Sequence, residues 1–311
     1  MLDPAERDRL RPDRHASEHR HSLIAVLFAG VSAALFGLMS VTVRIGLRAG
    51  VSAEVGSFVT AATALVVIVA VAGVSVAGGG GLDAADLWPF LLAGVLAPGL
   101  SQLFFFRAVR DAGASRTSVV VGTAPLVAVL IALAALDEPA RPLVLVGGLA
   151  IVCGSVALGF EPERPAGFKV AGIAFAVLTT IMFATRDDLL RWLATDSPPP
   201  ALPAAAVAMA GGAATLTAFL LSRRRLSVPA VRAGAPRFLG PGLLFGASYA
   251  FLFEAYYHGR VTVVSPLVAT ESLFGVLFAV LLLRRSELVG RHVVFGAALV
   301  VAGAAIIGAA R

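Results

Sequence analysis

Glu271, in SPLVATESLFGVL (265–277), is a carboxyl with no charged neighbour within two helical turns on either side. An unpaired charge in hydrocarbon costs at least about 2.5–3.5 kcal/mol on insertion scales. A residue of this type in such a setting is therefore a functional group or a neutral acid held by hydrogen bonds at a helix contact. The chemistry open to it is proton loading and release, cation binding, or pairing with a substrate amine. A second set lies in ATRDDLLRW (184–192), where Arg186, Asp187, Asp188 and Arg191 put four charges in six residues. Asp187 and Arg191 are four apart and share a helical face, which predicts a stabilising pair. Such a density of charge suits a solvated helix end, yet Arg186 lies about two turns inside and must face a wet cavity or snorkel. Both readings stay open.

Weaker candidates follow. Glu254 lies near the end of an apolar run, close to His258 and Arg260, as a coupling acid or an interfacial group. Arg107 and Arg110 suit an interfacial anchor. Ser101 and Gln102, with Ser248 and Tyr249, are polar positions midway along two apolar runs, fit for lining a cavity or for hydrogen bonds between helices. Tyr256 and Tyr257 fit an interfacial aromatic belt better than a binding site. Enzyme chemistry finds no support: H-E-x-x-H, G-x-S-x-G and the phosphate loop are absent. His15, His19, His21, His258 and His292 lie in the tail or near helix ends, and no metal or cofactor is expected. Cys153, the single cysteine, excludes an intrachain disulfide framework and reads as a small packing residue.

The elements that carry these groups are set by composition. Of 311 residues, 58% are hydrophobic and 14% charged, a charged fraction well below the roughly 25% of soluble domains. Apolar runs of about 20 residues, each long enough for a hydrocarbon core of about 30 Å, follow one another. They are continuous rather than alternating, which selects helices over a barrel. The expected class is an all-α membrane protein with ten transmembrane helices at 22–46, 53–77, 87–108, 116–136, 142–160, 168–192, 201–221, 237–257, 262–283 and 292–310. Residues 1–21 mix both charge signs and read as a disordered polar arm, with no removable signal peptide after it. The net charge of +6 is nearly all arginine spread over loop ends, which speaks for membrane anchoring and against nucleic acid as a partner. Gly242 and Gly246 form a G-x-x-x-G packing motif, and Pro98, Pro125 and Pro241, the last at the start of the eighth helix, are expected kinks.

The chain is also one unit written twice. GLSQLFFFRA (99–108) returns as GASYAFLFEA (246–255), with Gly99/Gly246, Ser101/Ser248, Phe104/Phe251, Phe106/Phe253 and Ala108/Ala255 identical at an offset of 246 − 99 = 147. Phe36/Phe183, Arg44/Arg191, Ser118/Ser265 and Leu126/Leu273 keep that register. The domains are thus a first five-helix repeat at 22–160 and a second at 168–310. Five is odd, so the second enters the membrane from the opposite side. Two inverted five-helix repeats around a midplane site are the arrangement of secondary transporters.

These features resemble the drug/metabolite transporter superfamily, in particular its EamA-type ten-helix members. The residues carrying the resemblance are ALFGLMSVTVR (34–44), the stretch 105–158, MFATRDDLLRW (182–192) and the stretch 253–306. The family's acidic residue between the fourth and fifth helices corresponds to Glu138; at the matching place in the second copy stand Arg284 and Arg285, with Glu287 two residues later. The resemblance implies a bacterial inner (plasma) membrane with both termini cytoplasmic. The Lys/Arg distribution opposes that orientation, with 10 residues on the inner side and 15 on the outer, together the 25 of the chain.

The expected function is secondary transport of a small metabolite, an amino acid or similar solute, by export, with alternating access between the repeats and protons coupled through Glu271. Efflux of a cationic drug or quaternary amine is the alternative within transport, and a non-transporting membrane scaffold is the alternative of another class. The expected partners are a small-molecule substrate, membrane lipid and protons, the chain acting as a monomer or homodimer.

Overall fold

The computed structural model describes residues 11–77, 84–112, 120–159, 169–195, 198–224, 227–283 and 291–310. Among them ten helical units follow in order: α1 (Arg11–Arg48), α2 (Ala53–Ala77), α3, α4 (Ala124–Ala135), α5 (Pro142–Gly159), α6 (Val170–Leu193), α7 (Ala201–Ser222), α8 (Val228–His258), α9 and α10 (Arg291–Ala310). Two are built in parts. α3 comprises α3a (Ala84–Gly94) and α3b (Ser101–Ala112), joined by a π-type turn over Val95–Leu100, and α9 comprises α9a (Val261–Val268) and α9b (Glu271–Leu283). No strand occurs among the described residues. Seven of the helices are long and apolar enough to cross a membrane, and three shorter apolar ones are Ala124–Ala135, Pro142–Leu158 and Val294–Ala310.

Two boundaries differ from expectation. α1 begins at Arg11 and takes in residues of the expected disordered arm, of which residues 1–10 lie outside the described set. α8 begins at Val228, not 237, because Ser227 caps it by accepting from the Ala230 amide at 3.3 Å. Pro236 and Pro241 are therefore both inside the helix, and Pro241 does not start it. At 1.5 Å per residue its 31 residues reach about 46 Å, beyond a hydrocarbon core of about 30 Å, so its arginine-bearing first turns stand at the headgroups or past them.

The halves are interleaved. α1 packs along α8 and both parts of α9, and its counterpart α6 packs along α3b and α4. α2 lies on α7 and α8, and α7 on α2 and α3a; α4 meets α9a, and α5 meets α10. Exchanging each helix for its counterpart reproduces this pattern. Ser32 Oγ on α1 donates to the Ser248 carbonyl on α8 at 2.9 Å. Thr179 Oγ1 on α6 approaches the Ser101 carbonyl on α3b at 3.5 Å, with each residue 147 positions from its mate.

The α5–α10 seam gives the direction. A Cβ built at Gly147 would lie 2.8 Å from the Gly303 carbonyl oxygen, and one at Gly154 would lie 2.6 Å from that of Gly296. α5 and α10, equivalent in the repeat, thus run antiparallel, as an inverted repeat requires. Glycine allows this approach because any side chain would meet backbone. The same seam turns Cys153 outward, so it is exposed rather than a packing residue. It also corrects the register. Gly147/Gly296 and Gly154/Gly303 are 149 apart, two more than the earlier offset. If the 149 offset is carried back to residue 138, Glu287 and not Arg285 aligns with Glu138; Arg285 and Glu287 lie outside the described residues. Gly242 and Gly246 pack on α2, as the motif predicts, with built Cβ atoms 2.4 Å from Thr63 Cβ and 2.8 Å from the Ala64 carbonyl oxygen.

Candidate functional site

The fourth and ninth helices are interrupted at the same place. The chain turns at Gly122–Thr123 and again at Ala269–Thr270, 147 residues on. Thr123 Oγ1 donates to the Val120 carbonyl at 2.7 Å, and Thr270 Oγ1 donates to the Leu267 carbonyl at 2.6 Å. Each threonine amide bonds three residues back, to Val120 and Leu267, each at 3.1 Å. The hydroxyls compete with the regular backbone bonds and tighten the turn. Carbonyls at the turns find partners on other helices: Thr180 Oγ1 donates to Val120 at 3.2 Å, and Ser155 Oγ to Ala269 at 3.2 Å. In a bilayer such interruptions persist only where protein groups satisfy the backbone. A pair of them in matching positions is the usual mark of a transporter's site.

Glu271 is the first residue of α9b, directly after its break, where the sequence predicts one continuous helix over 262–283. Its repeat mate, at 271 − 147, is Ala124, so the acid exists in one half only. It is half-buried and lies within electrostatic range of Arg186 and Asp187.

Those two residues form the centre. Arg186 Nη2 lies 2.7 Å and Nε 2.9 Å from Asp187 Oδ1, with side chains 12% and 8% exposed. Ser265 on α9a donates to Asp187 Oδ2 at 3.1 Å, and the guanidinium lies 5.5 Å from the Phe183 ring centroid and 6.0 Å from that of Tyr249. The predicted Asp187–Arg191 pair does not form. Adjacent residues point apart on a helix, but the long arginine side chain curls back, and Arg191 instead donates to the Tyr256 carbonyl at 3.3 Å. The four charges are thus mostly internal: Asp187 is 6% and Asp188 5% exposed.

Tyr256 is also misplaced by the sequence reading. It is fully buried, not interfacial, and within electrostatic range of Asp187 and Arg186. Tyr249 and Ser248 serve helix contacts: the Tyr249 hydroxyl donates to the Ala97 carbonyl at 3.0 Å, and Ser248 exchanges hydrogen bonds with Ser32. Ala97 offers that carbonyl because its backbone is extended ahead of Pro98, where α3 is interrupted. Ser101 Oγ and Gln102 Oε1 are buried without a hydrogen-bond partner among the described residues. Glu254 stands apart from the cluster, 3.6 Å from His258 Nδ1.

Glu138 closes one end. Its two carboxylate oxygens accept from the amides of Val261 (2.8 Å) and Thr262 (3.0 Å), capping α9a of the opposite half. Loss of an N-cap costs about 0.5–2 kcal/mol. Glu138→Ala should therefore lower the melting temperature in detergent more than Glu138→Gln, which keeps one acceptor; equal melting of all three proteins would exclude the cap as a stabilising contact. Sequence reasoning missed Ser265, Tyr256 and the Thr123/Thr270 turns as site residues. The one available signal was the GTAPL/ATESL echo (122–126 and 269–273) at the constant offset.

Known proteins bear on this arrangement. No curated protein matches the chain significantly. Among solved structures, one described only as a crystal structure of a protein superposes with TM-score 0.71 at 21% identity, over 91% of this chain and 95% of its own, which establishes the fold. The profile of the EamA-like transporter family matches residues 23–160 and again 170–309, covering both repeats. The chain belongs to the EamA-like transporter family, a family of membrane transporters built from two repeats.

Proposed function

We propose that the protein is a secondary transporter that exports a small polar metabolite, an amino acid or similar solute, across the plasma membrane, with protons as the coupling ion. The observation that carries this reading is the pair of matched helix interruptions with a half-buried acid, Glu271, beside one of them. Arg186 is committed to Asp187, and Glu271 is the acid beside the interruption that can receive a proton or an amine. Its position in the first turn of α9b lets the positive end of the helix favour its carboxylate, so a proton or cation can leave as well as bind. Rocking of the halves about this point would expose it to each side in turn.

Counterflow in proteoliposomes tests the reading, with a panel of amino acids, nucleosides and quaternary amines, with and without a pH gradient. Saturable exchange of one class, accelerated by the gradient, is expected. Glu271→Gln should abolish the acceleration, and unchanged pH dependence in that variant would remove the coupling role. Exchange confined to quaternary amines would make the protein a cation extruder. No exchange with any compound would favour a scaffold.

A further inference from the structure

We propose that Asp188 is a proton-binding site separate from Glu271, on the Glu138 side of the Arg186–Asp187 pair. Asp188 is 5% exposed, and among the described residues both of its carboxylate oxygens lack a hydrogen-bond partner. The groups in electrostatic range of it are acids, Asp187 on its own helix and Glu138 from the α4–α5 connection. The cations nearby are engaged elsewhere. Arg186 holds Asp187, Arg191 donates to the Tyr256 carbonyl, and Arg191 shares its electrostatic field with Glu138 and Arg260. On the remaining elements against α6, Arg107 of α3b stacks on the rings of Phe175 and Phe219. Tyr249, Tyr256 and Ser265 face the Arg186–Asp187 pair, and Glu254 faces His258. The described part of α4 carries no titratable side chain.

An ionised carboxylate in this place would be a buried charge without a counter-charge, the costliest arrangement a protein interior can hold. A proton on one oxygen removes that charge and leaves only an orphaned hydroxyl, a much smaller cost. A metal ion fits poorly, since the described residues contain no group of three or more His, Cys, Asp or Glu that could hold one. Release of the proton to water leaves a second negative charge within electrostatic range of Asp187, and its repulsion bears on the carboxylate that Arg186 holds. Glu138 is half-buried, and Arg260, next to the Val261 amide that it caps, is exposed. Binding at Asp188 is thereby linked to the central pair; the link to flux rests on the transport reading above.

Infrared difference spectra of the full-length protein in nanodiscs test the site directly. Subtracting the Asp188→Asn spectrum from wild type at neutral pH should reveal a protonated-carboxyl band that Glu271→Gln retains. Loss of a carboxylate band instead, or a band that responds to sodium and not to pH, would overturn the proposal. Carbodiimide labelling of the wild-type protein, read by peptide mass spectrometry, does not need the variant to fold. The Asp188 peptide should be modified at neutral pH and protected as pH rises, and modification that ignores pH would count against the site. In proteoliposomes, Asp188→Asn should exchange solute at equal rates with and without the gradient. If wild type exchanges nothing, the transport reading fails while the spectroscopic outcome still decides the site.

Discussion

Replacing Arg186 by methionine alone is expected to destabilise the protein by about 3–5 kcal/mol, because the change strands Asp187 as a buried, uncompensated charge. The geometry sets the size. Asp187 is 6% exposed, receives two arginine N–H groups on Oδ1, and keeps the Ser265 hydroxyl on Oδ2 but no paired cation among the described residues once the arginine is gone. The double variant Arg186→Met with Asp187→Leu should behave differently. Exchanging a whole buried ion pair for apolar side chains is often neutral or stabilising, so melting in detergent should return to near the wild-type temperature. Counterflow should not return, since the electrostatic setting of Glu271 has been removed. Recovery of transport together with stability would show that the pair only holds the fold. A single variant as stable as wild type would show that Asp187 is protonated or water-paired.

The second large effect is expected at Gly94. A Cβ there would sit 1.7 Å from the carbonyl oxygen of Ala208, where α3a crosses α7, so even Gly94→Ala forces two backbones apart. Overpacking usually costs about 1–3 kcal/mol because side chains can yield. Here the obstacle is main chain, and the cost belongs at or above the top of that range. Gly30 is the control. A Cβ there meets nothing within 4 Å, and alanine in a helix is favoured over glycine by roughly 0.5–1 kcal/mol. Melting temperatures of both variants in one detergent decide the matter, and equal loss at the two positions would contradict the crossing.

Much of the architecture was legible in the sequence because hydrocarbon thickness and helix rise leave few choices. The ten helices and their pairing into halves follow from apolar runs and the 147-residue echo. The assembled centre of the site was not legible, for two reasons. Helix interruption at Thr123 and Thr270 depends on hydroxyls capturing carbonyls three residues back, a local competition that hydropathy does not register. Assembly of Arg186, Asp187, Ser265 and Tyr256 depends on which faces of α6, α8 and α9a meet, and periodicity in such uniformly apolar helices says little about faces. The two-residue slip in the repeat register was hidden as well, and the glycine seam between α5 and α10 exposes it.

The bond between Ser32 and Ser248 spans 216 residues of chain. At a ribosomal rate of about 5–20 residues per second, the first helix is complete roughly 10–40 s before its partner emerges. Its serine must wait that long among lipids without the carbonyl it will bond. The first half leaves Ser32, Ser155 and Glu138 without the groups of the second half that they bond, so a nascent chain cut after the fifth helix is expected to be a quality-control substrate rather than a half-sized transporter.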